Sequence, residues 1–110
     1  MGGQATELLK GTLEGIVLAI LDGRPAYGYE ITEELRARGF TDMADGTVYA
    51  LLIRIERRGL VEVEKVPSTK GPPRKVFRLN DAGRAQLAEF WQAWEFLSGQ
   101  LDQLREKGAG

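Results

Sequence analysis

The 110-residue sequence contains no cysteine and no histidine. These absences exclude disulfides, thiol nucleophiles, histidine acid–base catalysis and metal sites built on Cys or His ligands. No group of Asp and Glu residues has the spacing of a calcium-binding loop. We therefore expect no catalytic residue, no metal and no cofactor, and the sequence argues against an enzyme.

Long apolar runs are also missing. The longest, Ile16 to Leu21, has six residues, whereas a membrane-spanning helix needs about 20. The N-terminus does not have the basic region and apolar segment of a secretory signal. We therefore expect a cytoplasmic protein without a membrane segment, folded as one unit around a modest core.

The charge is small in total but unevenly distributed. The chain has a net charge of −1, yet residues 54–78 hold eight basic and three acidic residues, which leaves +5 there and −6 elsewhere. A basic surface of this kind can face nucleic-acid phosphates. Since a solvated charged surface is the commoner explanation of such a run, the clustering alone indicates little.

Hydrophobic periodicity predicts three helices in the first half of the chain. We expect them at about residues 5–21, 27–38 and 46–58. Asp45 has the residue type and position of an N-cap for the third helix. The second and third helices are each followed by a glycine that is typical of a helix stop, Gly39 and Gly59.

The hydrophobic period then changes to two. Residues 61–66 and 74–79 have the alternation of β-strands, so they predict a two-stranded hairpin. The intervening residues, 67–73, are rich in Pro, Gly and Ser, and predict a loop that cannot be a central strand. A long helix follows, over about residues 80–107, capped by Asn80 or Asp81. The predicted fold is thus mostly α with a small β-hairpin.

The last helix carries an apolar stripe with heptad spacing. Its members are Leu87, Phe90, Trp94, Leu97, Leu101 and Leu104. A small domain cannot bury so long a stripe alone, so a second copy of the chain is the simplest partner. We expect a homodimer, with part of the stripe packing on the first helix of the same chain.

Three helices followed by a basic-tipped hairpin is the order of a winged helix-turn-helix. In that fold the third helix enters the major groove and the hairpin, or wing, contacts the DNA backbone nearby. A small α+β domain of another function has the same order, as does a winged-helix module that binds only proteins. The order alone leaves these alternatives open.

Several short sequence words are more specific than this order. They are LKGTL (9–13), YGYEI (27–31), GTVYALL (46–52), RIERRGL (54–60), GPPRKVFRL (71–79) and DAGR (81–84). Together, over about residues 8–84, they resemble the signature of the PadR-like transcriptional regulators. The resemblance implies a dimeric winged-helix repressor of the short type, with a DNA-binding part at 1–79 and a dimerisation helix at 80–107. Ala50, Ile53 and Asn80 depart from the residues usual in the family.

Candidate DNA contacts lie on the third helix and on the wing. The predicted set is Thr47, Tyr49, Ala50, Arg54, Arg57, Lys70, Arg74 and Lys75. On a helical wheel Ala50 and Ile53 face outward, able to contact a thymine methyl, and Arg54 is able to donate to guanine or phosphate. The resemblance implies that the Tyr49 hydroxyl contacts a phosphate or the wing. We expect Tyr29, in contrast, in the core.

Trp91 and Trp94 are three residues apart and therefore share a face of the last helix. The resemblance implies that aromatic side chains here can line a cavity between subunits that accepts flat hydrophobic ligands. Stacking on indole tolerates many ligand shapes. Both indoles filling the dimer core is the other explanation. The expected partners are operator DNA, a second copy and, under the first explanation, a small aromatic or hydrophobic effector.

Overall fold

The computed structural model describes residues 3–41 and 43–109. Its elements are α1 (Gly3–Gly23), β1 (Ala26–Tyr27), α2 (Gly28–Ala37), α3 (Asp45–Arg57), β2 (Val61–Ser68), β3 (Gly71–Leu79) and α4 (Asp81–Ala109). The predicted order of three helices, a hairpin and a long helix is confirmed, and the helix ends lie within two residues of their predicted positions.

The core lies where the first three helices meet the sheet. Its most buried side chains lie on α1, α2 and α3: Val17, Leu18, Ile31, Leu35, Val48, Leu52 and Ile55. Phe77 and Leu79 of β3 close the core from the sheet side. Burial of one such aliphatic side chain contributes about 1.5–3 kcal/mol. The core therefore fixes α2 and α3 relative to each other and leaves one side of α3 facing outward.

The start of α3 differs from the prediction. The N-cap residue is Ala44, which has an extended backbone, and Asp45 is the first residue of the helix. The carboxylate of Asp45 instead pairs with Arg36 of α2 at 3.2 Å. Its negative charge also interacts favourably with the positive, N-terminal end of the helix dipole. The predicted cap at Asp45 is therefore wrong. The predicted stop at Gly59 is confirmed, with φ of 73°.

The sheet has one strand more than predicted, and its strands are longer. Three antiparallel strands lie in the order β1-β3-β2. The hairpin pairing extends to Ser68 and Gly71, so most of the predicted loop over 67–73 belongs to strands. Prolines are tolerated there because β1 pairs only with Val76 and Phe77. At Pro72 and Pro73, β3 therefore has a neighbour on one side only.

Asn80 connects the wing to α4. Its Oδ1 accepts a hydrogen bond from the backbone N–H of Gly83 at 2.8 Å, which confirms the predicted cap. Its Nδ2 donates to the carbonyl of Gly59 at 2.9 Å and to the Glu62 carboxylate at 2.8 Å. One side chain thus ties together the end of α3, the start of β2 and the first turn of α4.

The long last helix extends beyond the core, in a molecule that measures 61 × 30 × 20 Å. Leu87 is buried and Phe90 packs on the core, whereas Leu97, Leu101 and Leu104 are 49%, 52% and 65% exposed. Within residues 3–41 and 43–109, no helix has the length and apolar character to cross a membrane.

Candidate nucleic-acid interface

The outward face of α3 changes character along the helix. Gly46, Ala50, Ile53 and Arg57 are all exposed and recur at the spacing of one helix face. Its residues are small at the N-terminal end, at Gly46 and Ala50, then apolar at Ile53 and basic at Arg57. A helix with a small leading end can approach base edges closely in the major groove.

On one side of this face, α3 borders the wing. Tyr49 is 53% exposed, and its ring lies against the backbone of Gly28, where an added Cβ would be 3.4 Å away. Tyr49, Tyr29 and the hairpin together line a groove of about 570 Å³. The wing residues Lys70, Arg74 and Lys75 line it. Four predicted DNA contacts are thus brought to one groove.

Tyr29 is not in the core, and the prediction for it is wrong. Its side chain is 44% exposed, its ring stacks on that of Tyr27 with centroids 5.6 Å apart, and the Arg74 guanidinium lies 5.4 Å from its centroid. The last contact is a cation–π interaction that steadies the wing. The sequence did contain a signal, because Tyr29 falls outside the spacing that buries Gly28, Ile31, Thr32 and Leu35.

On its other side, α3 borders α1. Glu14 of α1 accepts a hydrogen bond from Arg54 at 2.8 Å and also pairs with Arg58. A groove of about 830 Å³ runs between α1, α3 and α4, and its lining includes Thr47, Ala50 and Arg54. These three predicted contacts therefore lie away from the wing, with Arg57 on the surface between the two grooves.

All eight predicted DNA contacts are exposed, but two of their charges already have acidic neighbours. Lys75 Nζ lies 3.4 Å from Glu56 Oε1, and Arg54 pairs with Glu14. Exposed pairs of this kind contribute about 1 kcal/mol or less. Within residues 3–41 and 43–109, no group of three or more His, Cys, Asp or Glu is placed to hold a metal ion.

The apolar stripe of α4 divides into two parts. Leu87 and Phe90 pack within the chain, while Trp94 and the three leucines that follow it are about half exposed or more. Trp91 is 43% exposed and packs at a tilt on Phe90, with ring centroids 5.2 Å apart. A contiguous apolar surface of this kind marks an interaction site.

Comparison with known proteins shows that this chain is similar to transcriptional regulators. Residues 17–89 match the model of the transcriptional regulator PadR-like family. The transcriptional regulator Rv3488 of Mycobacterium tuberculosis is 36% identical over 75 residues, which cover 68% of each chain. A PadR-like transcriptional regulator from Bacillus cereus is 39% identical, with a TM-score of 0.79 over 89% of this chain and 95% of that one. A PadR family regulator from Eggerthella lenta is 34% identical, with a TM-score of 0.84 over 94% and 89%.

Proposed function

Because this chain belongs to the PadR-like family of transcriptional regulators, we propose that it binds operator DNA as a homodimer, represses transcription and has no catalytic centre. The observation that carries the proposal is the exposed surface formed by the outer face of α3 and the basic wing beside it. In this proposal residues 1–79 bind DNA and the helix predicted at 80–107 joins the subunits. Operator binding implies a cytoplasmic location.

In the proposed complex, α3 lies in the major groove. Ala50 and Ile53 contact thymine methyl groups, Arg57 and Arg54 donate to guanine or phosphate, and Thr47 lies near the leading end of the helix. The wing supplies contacts that do not depend on sequence, from Lys70, Arg74, Lys75 and the Tyr49 hydroxyl to phosphates. In this arrangement α3 reads the base sequence, and the wing positions the protein on the DNA backbone.

The dimer sets the form of the operator. Two copies that associate through the exposed half of the α4 stripe present two recognition helices about a two-fold axis. The operator is then a palindrome whose half-sites are about one helical turn apart, on the order of 34 Å, or a multiple of it.

An effector is the second part of the proposal. Trp91 and Trp94 are both more than two-fifths exposed in the single chain and lie on the helix proposed to join the subunits. A flat aromatic or hydrophobic compound that stacks on them shifts the relative position of the two DNA-binding parts. Such a shift releases DNA only if the compound binds the released form more tightly.

Fluorescence anisotropy with the full chain tests DNA binding. The probes are DNA from upstream of the protein's own gene and a shuffled sequence of equal length, at fixed salt. We expect the upstream DNA to bind about 10³-fold or more tightly, and the Ile53→Glu/Arg57→Ala variant to lose most of this preference. Equal and weak binding to both probes would favour the alternative, a module that binds only proteins. Transcription in vitro from the bound promoter distinguishes repression from activation.

A further inference from the structure

We propose that Glu14 is a positioning residue for DNA recognition, which holds the Arg54 guanidinium in a fixed place beside the outer face of α3. The inference rests on the proposed function, since it concerns how the same surface distinguishes operator from other DNA. Glu14 itself contacts no base in this proposal and acts through Arg54.

The Glu14 carboxylate of α1 lies between two arginines, Arg54 of α3 and Arg58 at the C-cap of the same helix. Glu14 Oε2 accepts from Arg54 Nη2 at 2.8 Å, and Glu14 Oε1 accepts from Arg58 Nη1. The Glu14 side chain is 17% exposed, against 65% for Arg54 and 40% for Arg58. The carboxylate is thus the covered member of the cluster, and Arg54 extends from it toward solvent.

The cluster leaves Arg54 able to bind DNA. A guanidinium has five N–H donors in a planar arrangement, and the bond to Glu14 engages Nη2 of Arg54. The remaining donors are available to guanine or phosphate. An arginine that is already ordered loses less side-chain entropy on binding than one free in solvent.

Glu14 is itself fixed by the packing of α1. The following residue, Gly15, contacts the ring of Phe90, and Val17 and Leu18 are fully buried. Its negative charge also repels phosphates, which weakens binding to any DNA. This repulsion acts on operator and random DNA alike, whereas an ordered Arg54 gains only where its guanidinium meets a matching base acceptor, so the ordering of Arg54 is what favours operator over random DNA. We therefore assign Glu14 an effect on the ratio of the two affinities.

The test measures this ratio, the affinity for operator divided by that for random DNA, in a double-mutant cycle. Glu14→Gln is expected to lower the ratio about three- to fivefold, the size of effect that an exposed ion pair has. In an Arg54→Ala background the same substitution should leave the ratio unchanged. Glu33→Gln on α2 is the matched control, because it removes the same charge from an exposed carboxylate and should leave the ratio as in the wild type.

Two outcomes overturn the proposal: an unchanged ratio in Glu14→Gln, or an equal fall with and without Arg54. Thermal unfolding and sedimentation confirm that each variant is folded and has the wild-type oligomeric state. If Glu14→Gln does not fold, Arg54→Lys provides a second test, because lysine keeps the positive charge but lacks the planar donors. An unchanged ratio in that variant also overturns the proposal. A wild-type protein with no preference for any upstream DNA rejects the proposed function and this inference together, whereas failure of the cycle alone rejects only the inference.

Discussion

The ring of Phe90 lies directly on the backbone of Gly15. A Cβ atom placed on Gly15 would come within 2.3 Å of the Phe90 ring, far closer than van der Waals contact allows. The helix proposed to join the subunits therefore meets α1 at a distance that only glycine permits. Through this contact α4 is held against the helix that also carries Glu14.

Gly15→Ala is expected to destabilise the fold. The new methyl group must displace Phe90, and overpacking of this kind typically costs about 1–3 kcal/mol, which exceeds the gain of up to about 1 kcal/mol from replacing a helical glycine. Chemical denaturation measures the net change in the free energy of unfolding.

Gly11→Ala is the matched control for this substitution. Gly11 lies in the same helix and a Cβ there meets no atom within 4 Å, so only the gain in helix propensity remains. The control variant should be more stable than the wild type by up to about 1 kcal/mol. Equal effects of the two substitutions would show that Phe90 does not pack on Gly15 in solution.

Asn80 offers a second test of stability. Asn80→Ala removes the cap of α4 and both bonds from the side-chain amide, and should destabilise by about 1–2 kcal/mol. Asn80→Thr keeps a hydroxyl that can cap but loses the bonds to Gly59 and Glu62, so its effect should lie between wild type and alanine. Thermal unfolding measures the order of stability of the three proteins. An alanine variant as stable as the wild type would contradict the prediction.

The local features of the fold are those that the sequence predicts well. Gly39 and Gly59 adopt positive φ angles of 103° and 73° at the predicted helix ends, and Asn80 caps the helix that follows it. Each of these signals depends on residues within a few positions of one another. The buried stripes of α2 and α3 follow in the same way from a period of 3.6 residues.

Features that depend on distant residues could not be predicted. β1 has only two residues and exists because Ala26 and Tyr27 pair with β3, some 50 residues later. Glu14 and Arg54 are 40 positions apart, and no periodicity or spacing connects them. Asp45 has the residue type of a cap, but its carboxylate pairs with Arg36, which belongs to another helix.

The wing should supply sequence-independent affinity. Replacing Lys70, Arg74 and Lys75 with Ala should weaken binding to operator and to random DNA alike. The slope of log affinity against log salt should flatten by up to about 3 units, since each lost phosphate contact contributes roughly 0.9. Arg105→Ala/Lys107→Ala, at the end of α4, is the control and should retain the wild-type slope. An unchanged slope in the wing variant would mean that these side chains neutralise no phosphates.

The exposed half of the α4 stripe should hold the dimer. Leu97→Lys/Leu101→Lys introduces two charges into this apolar surface, and should yield a folded monomer that has lost specific DNA binding. Gln92→Lys/Gln103→Lys adds the same charges to the same helix away from the stripe and should remain dimeric. Sedimentation measures the mass of each variant, and a dimeric leucine variant would contradict this arrangement.

The last prediction concerns Trp94, which is 45% exposed and precedes the three exposed leucines of the stripe. The chain has two tryptophans, so Trp91→Phe leaves Trp94 as the sole indole while keeping an aromatic ring against Phe90. If Trp94 lines a cavity between subunits, planar aromatic compounds should quench its fluorescence saturably in this variant. Trp94→Ala in the otherwise wild-type chain should then abolish the saturable response of Trp91 as well, yet leave a folded dimer, because a cavity wall costs less to truncate than a packed core.

If Trp94 instead fills the dimer core, no compound will quench it. Its truncation will then cost about 3–5 kcal/mol, a large part of the stability of a small domain. That pair of results would reject the effector and leave the proposal of DNA binding intact, because the surface formed by α3 and the wing does not include Trp94.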